Sequence, residues 1–94
     1  MDTIFEWDEE RANRNLQKHG IDFETALHVF TDPFAVSTQD RIENGEQRWQ
    51  TLGMVGGFLL ILVAHTVHFD DVEVVRIISA RAATKFERKR YEQG

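Results

Sequence analysis

The clearest hydrophobic pattern in the chain is a series of three apolar segments in its second half, at 47–55, 58–69 and 72–81. β-Branched and aromatic residues are frequent in these segments, and such residues favour strands. Gly56-Gly57 is typical of a two-residue hairpin turn, and Asp70-Asp71 marks a second reversal. The middle segment is apolar at both its odd and its even positions, which face opposite sides of a strand. This predicts a central strand with both faces covered.

The first half of the chain begins with a short strand and a helix. Thr3–Trp7 alternates weakly and predicts the strand. Asp8 is a suitable helix cap, and Gly20 is a suitable residue just beyond a helix end, so the helix spans about 9–19. Few of its residues are apolar, so we expect the helix to lie across an edge of the domain and not through its centre.

A second helix follows, with Asp22 as its cap and the end at Thr31-Asp32-Pro33. Apolar residues recur there at the i, i+3, i+4, i+7 spacing of a core-facing stripe. The stripe consists of Phe23, Ala26, Leu27 and Phe30. Phe34–Thr38 predicts a short strand, and the polar stretch 39–46 predicts a loop.

The chain ends in a basic helix. Thr84 and Glu87 have the spacing of a capping box, in which each side chain satisfies a backbone N–H at the helix start. The order of elements predicts an α+β fold, with a mainly antiparallel sheet, two N-terminal helices and one C-terminal helix. No linker or repeat interrupts the pattern, so residues 1–94 are expected to form one domain.

Composition removes several classes of function. The absence of cysteine excludes disulfides, thiolate metal sites and a cysteine nucleophile. The acidic N-terminus lacks the apolar run of a signal peptide, and the run 58–64 is too short to span a bilayer. We therefore expect a cytoplasmic protein without a membrane partner.

The net charge of −5 hides an asymmetry. Residues 1–46 hold 11 acidic and 4 basic side chains, whereas residues 47–94 hold 5 acidic and 7 basic ones. The net charge argues against a nucleic-acid ligand, but the asymmetry leaves room for a concentrated cationic site on an acidic body. The acidic half could also bind a basic protein partner.

A set of short motifs along the whole chain resembles the BrnT family of bacterial toxin–antitoxin ribonucleases, whose fold is similar to that of the RelE toxins. The motifs are Phe5-Glu6-Trp7-Asp8, Asn15, Lys18-His19-Gly20-Ile21, Phe23, Phe30, Asp32-Pro33, Glu46, Arg48-Trp49, Leu52-Gly53, Val63, His65-Thr66, Arg76–Arg81, Ala83-Thr84, Glu87-Arg88 and Tyr91.

The resemblance implies a metal-independent endoribonuclease that needs no cofactor, cleaves mRNA and blocks translation. It implies a cognate BrnA-type antitoxin that covers the site and brings the pair to operator DNA. A homodimer and a 2:2 complex with the antitoxin are both compatible with it. The alternative reading is a non-catalytic RNA-binding or operon-regulating subunit.

RNA cleavage through the 2′-hydroxyl needs proton transfer and stabilisation of a phosphorane. We predict His65, Arg76 and Arg81 as the catalytic residues, because imidazole titrates near neutrality and guanidinium groups are fixed, charged donors. Strict alternation would put the two arginines on opposite faces, unless the strand bulges between them. The structural alternatives are a half-buried histidine and an ion pair between Arg76 and Glu6 or Glu46.

Six further residues are predicted to bind RNA, and no metal ligand is predicted. His19 could instead interact with the last carbonyls of its helix, and Tyr91 could instead clamp the last helix onto the sheet. Arg48 beside Trp49 could add a phosphate contact or a stacking platform. The six are Lys18, His19, Arg48, Lys85, Arg88 and Tyr91.

Overall fold

The computed structural model describes residues 2–94 and contains one five-stranded sheet with three helices. The strand order is β1-β5-β4-β3-β2; β1 is parallel to β5, and all other pairs are antiparallel. This confirms the predicted α+β class and the central position of the middle apolar segment, which forms β4. The elements are β1 (Thr3–Glu6), α1 (Glu9–His19), α2 (Phe23–Ala26), β2 (Val36–Glu43), β3 (Glu46–Val55), β4 (Leu59–Asp70), β5 (Val72–Ala82) and α3 (Lys85–Gln93).

The predicted helix boundaries are confirmed by their capping contacts. The Asp8 carboxylate accepts a hydrogen bond from the backbone N–H of Glu10, and Gly20 ends α1 in the left-handed conformation. Asp22 caps α2, which continues as a 3-10 turn over Leu27–Thr31. No helix within residues 2–94 has both the length and the apolar content that crossing a bilayer requires.

The polar stretch 39–46 is not a loop, so that prediction is wrong. β2 continues to Glu43, and only Asn44-Gly45 turns, with φ angles of 53° and 79°. Hydrogen bonds to β3 hold the polar residues in an edge strand, where side chains can stay in water on both faces. The turn after β3 is also longer than predicted, because Val55 pairs with Leu59 and leaves Gly56–Phe58 as a three-residue loop.

The two faces of the sheet are covered to different extents. One face, here called the packed face, carries the main core, which α2 and the 3-10 turn cover. Phe23 and Val29 are fully buried there, and packing of this kind supplies most of the free energy of folding. The other face, here called the open face, carries a small cluster of Leu52, Leu60 and Leu62, against which Tyr91 of α3 packs.

α1 lies along the edge of β5 beyond the point where β1 stops pairing. Asn15 is the buried residue of this helix, and its side-chain amide donates to the carbonyl oxygens of Ile21 and Ala80 at 3.0 and 2.9 Å. Its Oδ1 accepts from the Ala80 N–H at 3.1 Å. One side chain therefore takes the place of a strand in satisfying the backbone edge of β5.

Gly53→Ala is expected to destabilise the protein by roughly 1–3 kcal/mol, because a methyl group has no room there. A Cβ at this position would lie 2.7 Å from both Cγ1 and the backbone oxygen of Val29. Urea unfolding measures the loss. Gly57→Ala is the control: it meets no atom within 4 Å, and its φ of 80° predicts a smaller cost from backbone conformation alone.

Candidate functional site

A β-bulge at Ile78 decides which side chains share a surface. Ala64 pairs with Ser79, whereas the next residue, His65, pairs with Ile77, so one residue of β5 is left over. Arg81 pairs with Leu62, and Arg76 pairs with Thr66. Leu62 and Thr66 are four residues apart on β4, so their side chains point to the same face of the sheet. The bulge therefore places both arginines on the open face, which is the alternative that the sequence left available.

His65 lies on the other side of the sheet, so the predicted grouping of His65 with Arg76 and Arg81 is wrong. Its ring packs edge-on against Phe30 of the packed face, with the centroids 5.0 Å apart. Its cross-strand partners are Trp49 and Ile77, not Arg76. The extra residue in β5 reverses the alternation, which separates the imidazole from the guanidinium groups by the thickness of the sheet.

The imidazole of His65 is 4% exposed, and Nε2 lies 2.8 Å from the Thr51 hydroxyl, which in turn lies 2.8 Å from that of Ser37. Burial lowers the pKa of His65, because desolvation disfavours the charged imidazolium. It lines an apolar groove of about 390 Å³ on the packed face, together with Trp49 and Phe69. These contacts match the alternative of a histidine hydrogen-bonded within the sheet, although the ring is buried and not half-buried.

A row of polar residues crosses the open face in strand register. Arg48 of β3, Thr66 of β4, Arg76 of β5 and Glu6 of β1 are consecutive cross-strand partners. Arg41 of β2 continues the row beyond Arg48. Since paired residues of neighbouring strands share a face, two guanidinium groups stand on either side of Thr66.

Four residues of this row, Glu6, Arg48, Thr66 and Arg76, line a cleft of about 570 Å³, here called the arginine cleft. The start of α1 forms the opposite wall and contributes Arg11, a residue that the sequence analysis missed. The lining residues are Glu6, Trp7, Asp8, Arg11, Glu46, Arg48, Thr66, Arg76, Ile77 and Ile78. Three arginines converge from β3, β5 and α1, a convergence that no stretch of the sequence displays.

The arginines of the cleft keep donors free for a ligand. Arg76 Nε lies 3.0 Å from a Glu6 carboxylate oxygen, as the structural alternative predicted, and half of the Arg76 side chain is exposed. Arg48 Nε lies 3.6 Å from Glu43, too far for a hydrogen bond. Partly exposed pairs of this kind contribute little to stability, so a phosphate can replace the carboxylates as partner.

Arg81 lies on the open face but is held by α3. Its two terminal nitrogens donate to both carboxylate oxygens of Glu87 at 2.8 and 2.9 Å. Glu87 also accepts from the Thr84 N–H, which confirms the predicted capping box. The Arg81 hydrogen bonds are the main cause that lowers the pKa of Glu87 to about 2.

Low pH is expected to reduce the stability of the folded protein by protonating Glu87. A carboxyl whose pKa is lowered in the folded state adds stability above about pH 4.5, and this is lost as the pH falls towards 2. Glu87→Gln should therefore cost roughly 2–3 kcal/mol at pH 7 and much less near pH 2.5. Urea unfolding at both pH values measures the difference, with the exposed Glu92→Gln of the same helix as control. Equal losses at the two pH values would contradict the assignment.

Tyr91 holds α3 against the sheet, which is the alternative to RNA binding that the sequence analysis gave for this residue. Its hydroxyl donates to Asp32 Oδ2 at 2.5 Å, and this hydrogen bond raises the pKa of Tyr91 to about 12. Burial opposes ionisation of Asp32, yet backbone donors from Met54 and Phe34 and the Tyr91 hydroxyl together lower its pKa. Tyr91 therefore does not reach the arginine cleft.

The other predicted RNA-binding residues lie on exposed surfaces. Lys18 and His19 line a shallow site of about 300 Å³ beside Arg11 and Arg14, and Arg11 joins this site to the arginine cleft. Lys85 and Arg88 are exposed on α3, away from the residues that line the cleft. Arg48 and Trp49 point to opposite faces, so they form no common stacking platform. Within residues 2–94, no three His, Cys, Asp or Glu side chains are grouped as metal ligands.

The clustering of Arg11 and Arg14 on one side of α1 could have been inferred from one sequence signal. Arg11, Arg14 and Lys18 recur at i, i+3, i+7, which places three cations on one face of α1. The helix was instead interpreted by its apolar residues, which are few. The hydrogen bond from Asn15 to Ala80 fixes α1 against β5, and this position brings the cationic face of α1 beside the cleft.

Comparison with known proteins agrees with the fold and the motifs. No curated protein matches the chain. A crystal structure of the Brucella abortus ribonuclease toxin BrnT is similar to it, with a TM-score of 0.69 and 24% identity over 90% of this chain and 100% of that one. The model of the family described as "Ribonuclease toxin, BrnT, of type II toxin-antitoxin system" matches residues 7–87. The chain therefore belongs to the BrnT family of ribonuclease toxins of type II toxin–antitoxin systems.

Proposed function

We propose that this protein is a metal-independent endoribonuclease that cleaves mRNA in the arginine cleft and thereby inhibits translation. The observation that carries the proposal is the convergence of Arg11, Arg48 and Arg76 on one cleft of an acidic protein. Guanidinium groups bind phosphate oxygens through several fixed donors and stay charged at every physiological pH. Membership in a family of ribonuclease toxins supports a phosphodiester as the ligand.

The reaction proposed is attack of the 2′-hydroxyl on the adjacent phosphorus, with release of the 5′-oxygen of the next nucleotide. Arg48 and Arg76 stabilise the charge that develops on the phosphorane oxygens, which is where fixed donors lower the barrier most. Glu46 lines the cleft and is exposed, so its carboxylate is available to accept the 2′-hydroxyl proton, and the leaving 5′-oxygen takes up a proton from water.

The catalytic roles of His65 and Arg81 stay predictions. Proton transfer by His65 would require RNA to enter the groove on the packed face, and phosphate binding by Arg81 would require it to exchange Glu87 for RNA. Purified His65→Gln and Arg81→Ala variants, assayed for cleavage at equal folded fractions, test the two roles separately.

Lys18 and His19, with Arg11 and Arg14, extend the cationic surface along α1 and are proposed to bind the RNA backbone outside the cleft. Lys85 and Arg88 are proposed to make weaker contacts from α3. Such contacts with phosphates depend strongly on salt, because each releases bound counterions. RNA affinity is thus expected to fall steeply between low and physiological salt.

The proposed partner is a BrnA-type antitoxin encoded with the toxin, which covers the cleft and carries the operator-binding domain. Membership in a type II family supports an antitoxin in general. The pair is proposed to act in the cytoplasm. The toxin is proposed to form either a homodimer or a 2:2 complex with the antitoxin.

Incubating the antitoxin-free protein with RNA in EDTA tests the proposed reaction. We expect fragments with 5′-hydroxyl ends and 2′,3′-cyclic phosphate or 3′-phosphate ends. A 2′-O-methyl group at the cleaved nucleotide should block the reaction, because it removes the nucleophile. Fragments with 5′-phosphate ends, or cleavage that requires added metal, would contradict the proposal.

A non-catalytic RNA-binding subunit is the second candidate, and one observation favours it. Among residues 2–94, no histidine lines the arginine cleft, whereas binding alone needs no titrating group. RNA that binds with arginine dependence but stays intact at every protein concentration would support this candidate over the nuclease.

A further inference from the structure

Thr66 lies in the arginine cleft between Arg48 and Arg76, its partners in strand register. It is 3% exposed, and its Oγ1 has no hydrogen-bond partner within residues 2–94. Arg48 Nε, on the neighbouring strand, is buried in the same cleft and is also without a hydrogen bond. Two donors that belong to adjacent residues are therefore unused.

A buried hydroxyl without a partner destabilises a folded protein, and valine has the same shape without that cost. Folding alone therefore does not account for a threonine at position 66. Two such unused donors lining one cleft, with a guanidinium group on either side, match the oxygen atoms of a bound anion.

We propose that the Thr66 hydroxyl and Arg48 Nε together bind one phosphate group of the RNA backbone, with the terminal nitrogens of Arg76 on its other side. This inference rests on the proposed function, because it takes RNA as the ligand. Thr66 donates to a non-bridging oxygen, and Arg48 turns from Glu43 towards the phosphate. The long arginine side chains, which are partly exposed, move aside to admit it.

Thr51 provides a matched control for this role. It is also a buried threonine, on the strand next to β4, but it faces the opposite side of the sheet. Its hydroxyl is used, since it lies 2.8 Å from both His65 Nε2 and Ser37 Oγ. Thr66→Val and Thr51→Val are thus the same chemical change at a ligand-facing and at a structural hydroxyl.

The experiment measures binding of a fluorescein-labelled single-stranded 2′-O-methyl RNA oligonucleotide, together with the melting temperature of each variant. We expect Thr66→Val to weaken binding about 10-fold, the equivalent of one hydrogen bond, with an unchanged or higher melting temperature. Thr66→Ser should retain wild-type affinity. Thr51→Val should show the reverse, a lower melting temperature with unchanged affinity.

Two results for the Thr66→Val variant would overturn the inference: wild-type affinity, or a melting temperature lowered as much as in Thr51→Val. A wild-type protein that fails to bind the oligonucleotide would overturn it as well. Cleavage of unmodified RNA separates this inference from the proposed function. If the wild type cleaves and Thr66→Val binds normally, only the Thr66 assignment fails. If Thr66→Val binds weakly but the wild type never cleaves, only the nuclease proposal fails.

Discussion

Arg76→Ala is expected to lower kcat/KM for RNA cleavage by roughly 100-fold, because one fixed donor to the phosphorane is removed. Arg76 lies in register with Thr66 at the centre of the cleft, and its terminal nitrogens are not engaged by Glu6. The double variant Arg48→Ala/Arg76→Ala should lose more than the single one and should abolish growth inhibition. Initial rates with a labelled RNA oligonucleotide, and growth after induction, measure the two effects.

Arg41→Ala is the control for this prediction. Arg41 belongs to the same cross-strand row and pairs with Glu43 and Asp40, but it is not among the residues that line the cleft. We expect its removal to change cleavage less than threefold, because Arg41 does not line the cleft and its charge is exposed. Equal losses in Arg41→Ala and Arg76→Ala would mean that general positive charge, not the cleft, is responsible.

Asn15→Ala is expected to destabilise the protein by about 3 kcal/mol, the loss of three buried hydrogen bonds at roughly 1 kcal/mol each. The N–H and carbonyl groups of Ala80 and the carbonyl of Ile21 would be left without this partner in the interior. For a domain of this size, such a loss lowers the melting temperature by on the order of 15 °C. Differential scanning calorimetry measures the change.

Asn13→Ala supplies the matched control, since it is the same substitution on the exposed side of α1. We expect it to be neutral or slightly stabilising, because alanine has the higher helix propensity. Asn15→Asp is a further test: it keeps the shape but replaces the amide donor by a charge, so it should be at least as damaging as alanine. A stability loss below 1 kcal/mol in both Asn15 variants would show that α1 is held to β5 by other contacts.

Local signals in the chain predicted most of the elements. Asp8 and Gly20 bound α1, Thr84 and Glu87 start α3, and the apolar run of β4 marks the centre of the sheet. Each of these depends on residues within a few positions of one another, which a linear pattern contains. The loop predicted for 39–46 failed because pairing with β3, a long-range contact, overrides the polar composition of β2.

The site was less predictable than the fold. Arg48 and Arg76 could be named as candidate phosphate ligands from the chemistry of the guanidinium group. Their grouping with Arg11, and the unused hydroxyl of Thr66, depend on strand register and on the position of α1. Neither is visible in the spacing of residues along the chain, because the partners come from four separate elements, α1, β3, β4 and β5.

The amino-acid sequence by itself determined the α+β class, the helix ends, the central strand and the family of this protein, since these follow from local propensity and short motifs. Only the tertiary structure decided which side chains share a surface. A single extra residue at Ile78 reverses the alternation of β5, which brings Arg76 and Arg81 to one face and leaves His65 on the other. The reason is geometric: side chains of a strand alternate with a period of two, so one bulged residue changes the face of every residue beyond it.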